Sequence, residues 1–505
     1  MLPHLRGNVD KMLDRLQSEI GEINLPFTAA NGSILMMIYE EQSNFRAINR
    51  SVLIEQFVDV TLRKGAVEQS QREIFDYTNK TALLAHVAEW MAMEDNYVPE
   101  IETVRTVMKS YIDNLGLKVD LTALLNEFFS RRIFIRKAES RLSFRYRAML
   151  EYFIALQMVN SEHFREWVCD ETRYLQYINE IQYYAGKLRK DEKLIKLIEA
   201  RFLQLVMQAE DDLGKIDLQR ITDLKLPRKG GSTSSVEHLS QQLSDGPLSQ
   251  EEKDAELEAE LPRDVEERQE VFRPKIDNPG QEFLVALLLY SGIVKNMELL
   301  GDIDKRSHLN NIWLGWSMFL HISLMIVPKL AQHRKLRING VLYEISAPKS
   351  ISDEELTRMI SLNLPGGISD LLTASLGTEK LDRQLTEPLL NEDKAPLVYE
   401  YFRTSLISEL QLPATATTIK VALERLSKSE YLSESMIWRI HKLRRLGKFE
   451  EEQFSAIAPS VATAIANLQG GSAKDRRDQK RTQLEKLNKQ GVRLKLQKSL
   501  EDKAT

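Results

Sequence analysis

The sequence predicts a mainly α protein: a helical bundle with one small β-hairpin, followed by a second mostly helical domain with a hairpin of its own. Three observations predict it. Apolar side chains recur at i, i+3, i+4 and i+7 over most of the chain. Two short aromatic and β-branched runs flank turn chemistry. One Gly/Ser-rich and acidic stretch separates two apolar-dense regions.

In chain order, Leu53, Ile54, Phe57, Val58 and Leu62 follow Asn49 at helical spacing, and Leu83, Leu84, Val87, Trp90 and Met91 follow Asn79. Asp120 precedes Leu121, Leu124, Leu125, Phe128 and Phe129, an N-cap ahead of an apolar stripe. Ile133, Phe134 and Ile135, the turn-like Lys137 to Ser140, then Leu142 and Phe144 read as two short strands. A helix bearing Met149, Leu150, Phe153, Ile154 and Leu156 follows directly, which is the element order of a winged-helix-like module. The run from Tyr174 to Met207 continues the helical pattern. Beyond the divide, Ile312 to Val327 is an apolar run that Pro328 closes, too short for a bilayer span and read as a buried core helix. Lys335–Ile338 and Val341–Ile345 flank Asn339-Gly340, the strongest short hairpin signal in the chain. Ser352-Asp-Glu-Glu355 is a capping box ahead of Leu356, Met359 and Ile360, with Pro365-Gly366-Gly367 ending that helix.

The expected organisation is a helical domain over 1–110, the hairpin module over 111–160 and a helical extension over 161–226. An acidic linker over 227–281, a second mostly helical domain over 282–470 and a basic tail over 471–505 complete it. The linker assignment rests on Lys-Gly-Gly-Ser-Thr-Ser-Ser at 229–235 and on ten acidic residues between Glu251 and Glu270. The tail from Ser472 carries eleven Lys/Arg against five Asp/Glu. With 69 basic and 74 acidic side chains the net charge is −5, so the chain has no general affinity for polyanions. The single cysteine, Cys169, excludes an intramolecular disulfide and a Cys-based zinc site and implies a reducing, cytoplasmic setting.

Catalytic patterns are missing. Gly-Lys occurs at 186–187, 214–215 and 447–448 but is followed by Leu188, Ile216 and Phe449, so none is a phosphate-cradling loop. The eight histidines have no metal-seating spacing, and neither a G-x-S-x-G nor a G-x-G-x-x-G occurs. The chain is expected to be no enzyme by itself.

One ordered pattern remains. Leu25-Pro26-Phe27-Thr28 opens a helical stretch, Ile48-Asn49-Arg50 precedes the next, and Phe75-Asp76-Tyr77 precedes LLAHVAEWM. The hairpin then leads into Phe144-Arg145-Tyr146-Arg147 and Glu151-Tyr152-Phe153-Ile154-Ala155. Over about residues 10–160, and loosely to 225, this order resembles the part of STAND-class, NACHT-like NTPases that follows their ATPase core: a small helical domain, then a winged helix. The resemblance implies a nucleotide held between a P-loop domain and these modules. A proline there packs by the adenine, and a winged-helix histidine contacts the ADP β-phosphate. Carried over, Pro26 is the adenine candidate, and the histidine position falls on Tyr146, a departure from the family. A phenol can donate to a phosphate oxygen but does not titrate near neutrality.

The resemblance further implies that the P-loop segment lies upstream or in trans, with ATP or ADP bound only when it is supplied. This chain would then be the regulatory and sensor portion of a signal-transduction switch, with an effector domain as a further partner and a role in prokaryotic anti-phage defence. Basic residues support an alternative, a winged-helix nucleic-acid-binding regulator, with a helical scaffold as a third. Arg145 and Arg147 at the hairpin, and Arg439, Lys442, Arg444 and Arg445 around the stripe Ile437, Ile440, Leu443 and Leu446, are the candidate polyanion contacts. The apolar, acidic LTALLNEFF segment counts against groove insertion. No metal site and no membrane segment are expected.

Overall fold

The computed structural model describes residues 20–21, 23, 25–26, 28–41, 50–63, 75–137, 140–226, 273, 276, 278–338, 341–344, 351–390, 394–449 and 451–487. The acidic stretch 251–270, Asn49, the Asn339-Gly340 turn and the last part of the basic tail lie outside these residues. The chain forms two compact units, residues 1–192 with 262–285 and residues 193–261 with 286–505.

The first unit is built from α1 (Ala29–Glu41), α2 (Arg50–Arg63), α3 (Tyr77–Met93), α4 (Ile101–Asn114), α5 (Leu121–Ser130), β1 (Phe134–Arg136), β2 (Leu142–Phe144), α6 (Arg147–Asn160), α7 (Glu162–Val168) and α8 (Ile178–Leu188). Asp120 caps α5 as expected, accepting from the backbone N–H of Thr122 at 2.9 Å and Ala123 at 3.0 Å. At α3 the cap is Asp76, which accepts from the N–H of Asn79, so Asn79 sits inside the first turn instead of capping it. The strands pair antiparallel with Phe134 opposite Phe144 and Arg136 opposite Leu142. Glu100 forms a further bridge to Arg141 beside the hairpin. Phe134 and Phe144 pack edge to face at 4.9 Å, and Phe144 meets Phe153 of α6 at 5.6 Å, which fastens the hairpin to that helix. Helix α6 is the centre of the unit and packs against α2, α3, α7 and α8. Met149, Phe153, Ile154 and Met158 along it are fully buried. The run from Tyr174 to Met207 is helical as expected, in two pieces: α8 ends at Arg189, whose φ of 59° turns the chain before α9 (Glu192–Leu213) begins.

The second unit continues from α9 through α10 (Gln219–Thr222), α11 (Pro279–Asn296), α12 (Asp302–His333), β3 (Lys335–Ile338), β4 (Val341–Glu344), α13 (Asp353–Leu376), α14 (Asp382–Thr386), α15 (Leu397–Leu410), α16 (Thr415–Leu426), α17 (Glu430–Arg445), α18 (Glu451–Gln469) and a helix α19 over 473–487. β3 and β4 pair antiparallel, with Ile338 opposite Val341. Pro328 does not close the apolar run but lies inside the 32-residue α12. This helix is long and apolar enough to cross a membrane by length and composition, with a mean hydropathy of 1.4 in its most apolar window. Its Ile312, Trp313, Trp316, Met318 and Leu320 are buried.

Pro365-Gly366-Gly367 likewise fails to end its helix, since α13 continues to Leu376. A proline cannot donate to the carbonyl four residues back, here Ser361. The Tyr431 hydroxyl of α17 donates to that carbonyl instead at 2.8 Å, and Ser435 Oγ donates to the neighbouring Leu362 carbonyl at 3.0 Å. The tertiary contact therefore satisfies what the proline leaves open.

Candidate functional site

The two residues nominated by the family pattern, Pro26 and Tyr146, meet in the first unit through a third residue. The antiparallel hairpin delivers the chain through Arg145, whose N–H donates to the Ile133 carbonyl at 2.8 Å, to Tyr146 at the N-cap of α6. There the backbone is extended, at φ −120° and ψ 138°. The Tyr146 hydroxyl donates to Asn31 Oδ1 at 2.9 Å, and Asn31 Nδ2 donates to the Pro26 carbonyl at 2.8 Å. The Asn31 N–H is taken by Thr28 Oγ1 at 3.2 Å, which starts α1. Phe57 of α2 sets its ring edge-on to Tyr146 at 6.2 Å, and the Arg145 guanidinium lies over the same ring at 4.7 Å. Asn31 is 1% and Tyr146 5% exposed, and Pro26 is buried.

In this arrangement the phenol's single donor is spent on Asn31. A phosphate oxygen could receive it only after that bond opens, so the geometry is that of a closed joint and presents no ready nucleotide contact.

One helical turn into α6, a second cluster forms from words of the same pattern. Glu151, 1% exposed, accepts from Arg147 Nε at 2.7 Å and from Asn179 Nδ2 of α8 at 2.9 Å. Arg50, the first residue of α2, lies 3.8 Å from the other Glu151 oxygen, donates to Asn179 Oδ1 at 3.3 Å and stacks over the Tyr183 ring at 4.6 Å. Ser51 Oγ reaches the Tyr183 carbonyl at 2.7 Å. Burial pushes the Tyr183 phenol upward, against a smaller opposing pull from Arg50. Joint and ion cluster together tie α1, α2 and α8 to the hairpin and α6.

Asn31, Asn179 and Tyr183 were not nominated from the sequence. Asn31 had one visible signal, an amide in an otherwise apolar helix three residues after Thr28. Nothing local pointed to Asn179.

The candidate polyanion contacts are arranged otherwise than a solvent-facing stripe requires. Arg147 is paired with Glu151. Arg131 and Arg141 of the hairpin region pair with Glu127 and Glu100, and Arg136 covers the Phe129 ring at 4.8 Å. On α17, Arg439 is buried and bridges Asp370 at 2.5 Å and Glu409 at 3.1 Å. Arg444 is buried over the Phe454 ring at 3.6 Å, where desolvation works against its charge. Lys442 is exposed and paired with Asp370, and Arg445 is half-buried. The expected cationic face is therefore interrupted, because α17 packs among α13, α15, α16 and α18 and turns Arg439 and Arg444 into that interior.

Two open clefts of about 730 and 770 Å³ flank α10 in the second unit. They set Lys225, Lys394, Arg425 and Lys428 among Asp217, Asp223 and Glu430, so neither charge sign dominates. None of the residues nominated from the sequence lines them. Among the described residues no grouping of His, Cys, Asp and Glu could hold a metal ion.

Residues 97–154 match the model of a protein family described as Novel STAND NTPase 4. The matched stretch runs from Tyr97 through α4, α5 and the hairpin into α6 as far as Ile154, and so contains Tyr146 and Glu151. No curated protein and no solved structure matches the chain. The family match supports a STAND-type protein.

Proposed function

We propose that this chain is the regulatory and sensor portion of a STAND-type nucleotide switch, in which the joint around Tyr146 is the element that senses nucleotide. The observation that carries the reading is that Pro26 meets Tyr146 through Asn31, and Arg50 meets Glu151, at the first turns of α6, inside and beside the segment that matches the family. A switch needs two states with different contacts. In one state the Tyr146 hydroxyl bonds Asn31 and α1 is held to the hairpin module. In the other the hydroxyl turns to a nucleotide phosphate and α1 is released.

The nucleotide and its hydrolysis belong to a P-loop segment, upstream or in trans, and the chain itself is not a catalyst. Partners follow from that assignment: the P-loop segment, an effector, and a trigger read by the second unit. A reducing, cytoplasmic site of action fits the lone Cys169, and prokaryotic anti-phage defence is the biological setting the resemblance favours.

The test is ATP and ADP binding by calorimetry, on the chain alone and on its complex with any P-loop polypeptide encoded beside it. ADP binding to the complex is expected, weakened about tenfold by Tyr146→Phe, the loss of one hydrogen bond to a charged oxygen. Absence of nucleotide binding in both forms removes the proposal.

A further inference from the structure

Arg273 lies far along the chain from the residues that hold it. Its Nη2 donates to Glu180 Oε1 at 2.6 Å, its Nη1 to the Gln176 carbonyl at 2.8 Å and its Nε to the Tyr97 hydroxyl at 3.2 Å. The guanidinium carbon stands 4.0 Å above the Tyr177 ring and 5.5 Å from the Tyr97 ring. The Arg273 side chain is 9% and that of Glu180 1% exposed. Hydrogen-bond acceptors along the edges of the fork and a π-face beneath it are the features that recognise a guanidinium, and a lysine ammonium does not match them.

The cage is a property of the first unit's own helices. Tyr97 follows α3, Gln176 ends a 3₁₀ turn, and Tyr177 and Glu180 open α8. The Tyr97 and Tyr177 hydroxyls approach at 3.4 Å, and the Tyr177 ring packs edge-on against Trp167 at 5.8 Å, itself covered by Arg173 at 4.6 Å. The occupant comes from elsewhere, 93 positions from Glu180 and 176 from Tyr97. Glu180 is the buried acidic wall of the cage, and Arg273 beside it favours its charged form. Burial pushes the Glu180 carboxyl upward and Glu151 adds to it, whereas Arg273 pulls it down. Glu180 Oε2 has no hydrogen-bond partner among the described residues, which leaves acceptor capacity for a second N–H.

We propose that this cage is an exchangeable arginine-recognition site, occupied in cis by Arg273 and open in trans to an arginine-bearing peptide of a partner protein. In the resting chain Arg273 fills the cage. A tethered occupant has an effective concentration on the order of millimolar, so a partner must present its arginine at high local concentration to displace it. The proposal holds whether or not the chain binds nucleotide.

The test uses the full chain and a fluorescein-labelled peptide of residues 268–278, followed by anisotropy without nucleotide. Arg273→Ala, which empties the cage, is expected to capture the peptide at least tenfold more tightly than the unsubstituted chain. The same peptide with citrulline in place of arginine at position 273 is expected not to bind, and Glu180→Gln added to R273A is expected to abolish capture. Equal affinity for R273A and the unsubstituted chain, or capture of the citrulline peptide, overturns the proposal. If R273A does not fold, R273K keeps a cation beside Glu180 and is titrated in the same way. Capture above the unsubstituted level supports exchange, and capture at that level refutes it.

Discussion

Replacing Tyr146 by Phe removes one hydroxyl and leaves the ring, so it isolates the bond that joins the hairpin module to α1. The hydroxyl's acceptor, Asn31 Oδ1, belongs to a side chain 1% exposed, and water has no ready path to it. A buried acceptor deprived of its donor costs about 1–3 kcal/mol. The contact to Phe57 and the cover of Arg145 use the ring and survive the change. The loss therefore falls on the local opening of α1, and amide hydrogen exchange measures such openings directly. Amides from Ile34 to Ile38 in α1 are expected to exchange about 5- to 150-fold faster in Y146F, the same energies expressed as a ratio. A mutant cycle sharpens the result. Asn31→Ala removes the acceptor and, with it, the donor to the Pro26 carbonyl, so Y146F added to N31A should cost less than about 0.5 kcal/mol further if the two side chains act as a pair. Exchange within twofold of the unsubstituted chain, or strictly additive substitutions, would refute the joint.

Glu151→Gln leaves Arg147 and Arg50 facing a neutral amide at a 1% exposed position and is expected to cost about 3 kcal/mol, read as a lower denaturant midpoint of the first unit's unfolding. Gly315→Ala would place a Cβ 2.5 Å from Phe202 Cζ and 2.6 Å from Leu287 Cδ1, an overpacking of about 1–3 kcal/mol that should lower the thermal midpoint of the second unit. Burial, then Arg220, hold the His321 imidazole below its ordinary value, so the folded state favours the neutral ring. Its contribution to stability is present above the unfolded value of about 6.5 and is lost as pH falls through the folded one. A His321 ring resonance titrating below pH 6.5, and a shallower acid slope in His321→Gln, check that sign.

The elements whose cause is local were legible. The Asp120 cap, the Ser352 capping box and both hairpins each depend on residues within a few positions of one another, and each stands where the sequence puts it. The site was legible in part. The order of short words nominated Pro26 and Tyr146 and included Arg50 and Glu151, but no word revealed that Asn31 would stand between the first two. That amide lies 115 positions from its phenol, and periodicity records which face of a helix is apolar without recording what meets it. The cationic reading of α17 missed for the same reason: Asp370, which turns Arg439 inward, is 69 positions away.

By itself the sequence determined the helical class and the placing of the two hairpins, because each follows from side-chain chemistry within a turn or two of the chain. Packing decided the rest. Pro365-Gly366-Gly367 is a helix stop on local grounds, yet α13 passes through it, with the Tyr431 hydroxyl donating to the Ser361 carbonyl that the proline leaves without its helical donor and Ser435 Oγ donating to the neighbouring Leu362 carbonyl. Tyr146 is a potential phosphate donor on local grounds, and it became half of a closed joint because α1 brings Asn31 within 2.9 Å. In both places a polar group that local structure leaves unsatisfied takes its partner from a distant helix, since a buried donor or acceptor left without one costs more than the ordering needed to bring that helix there.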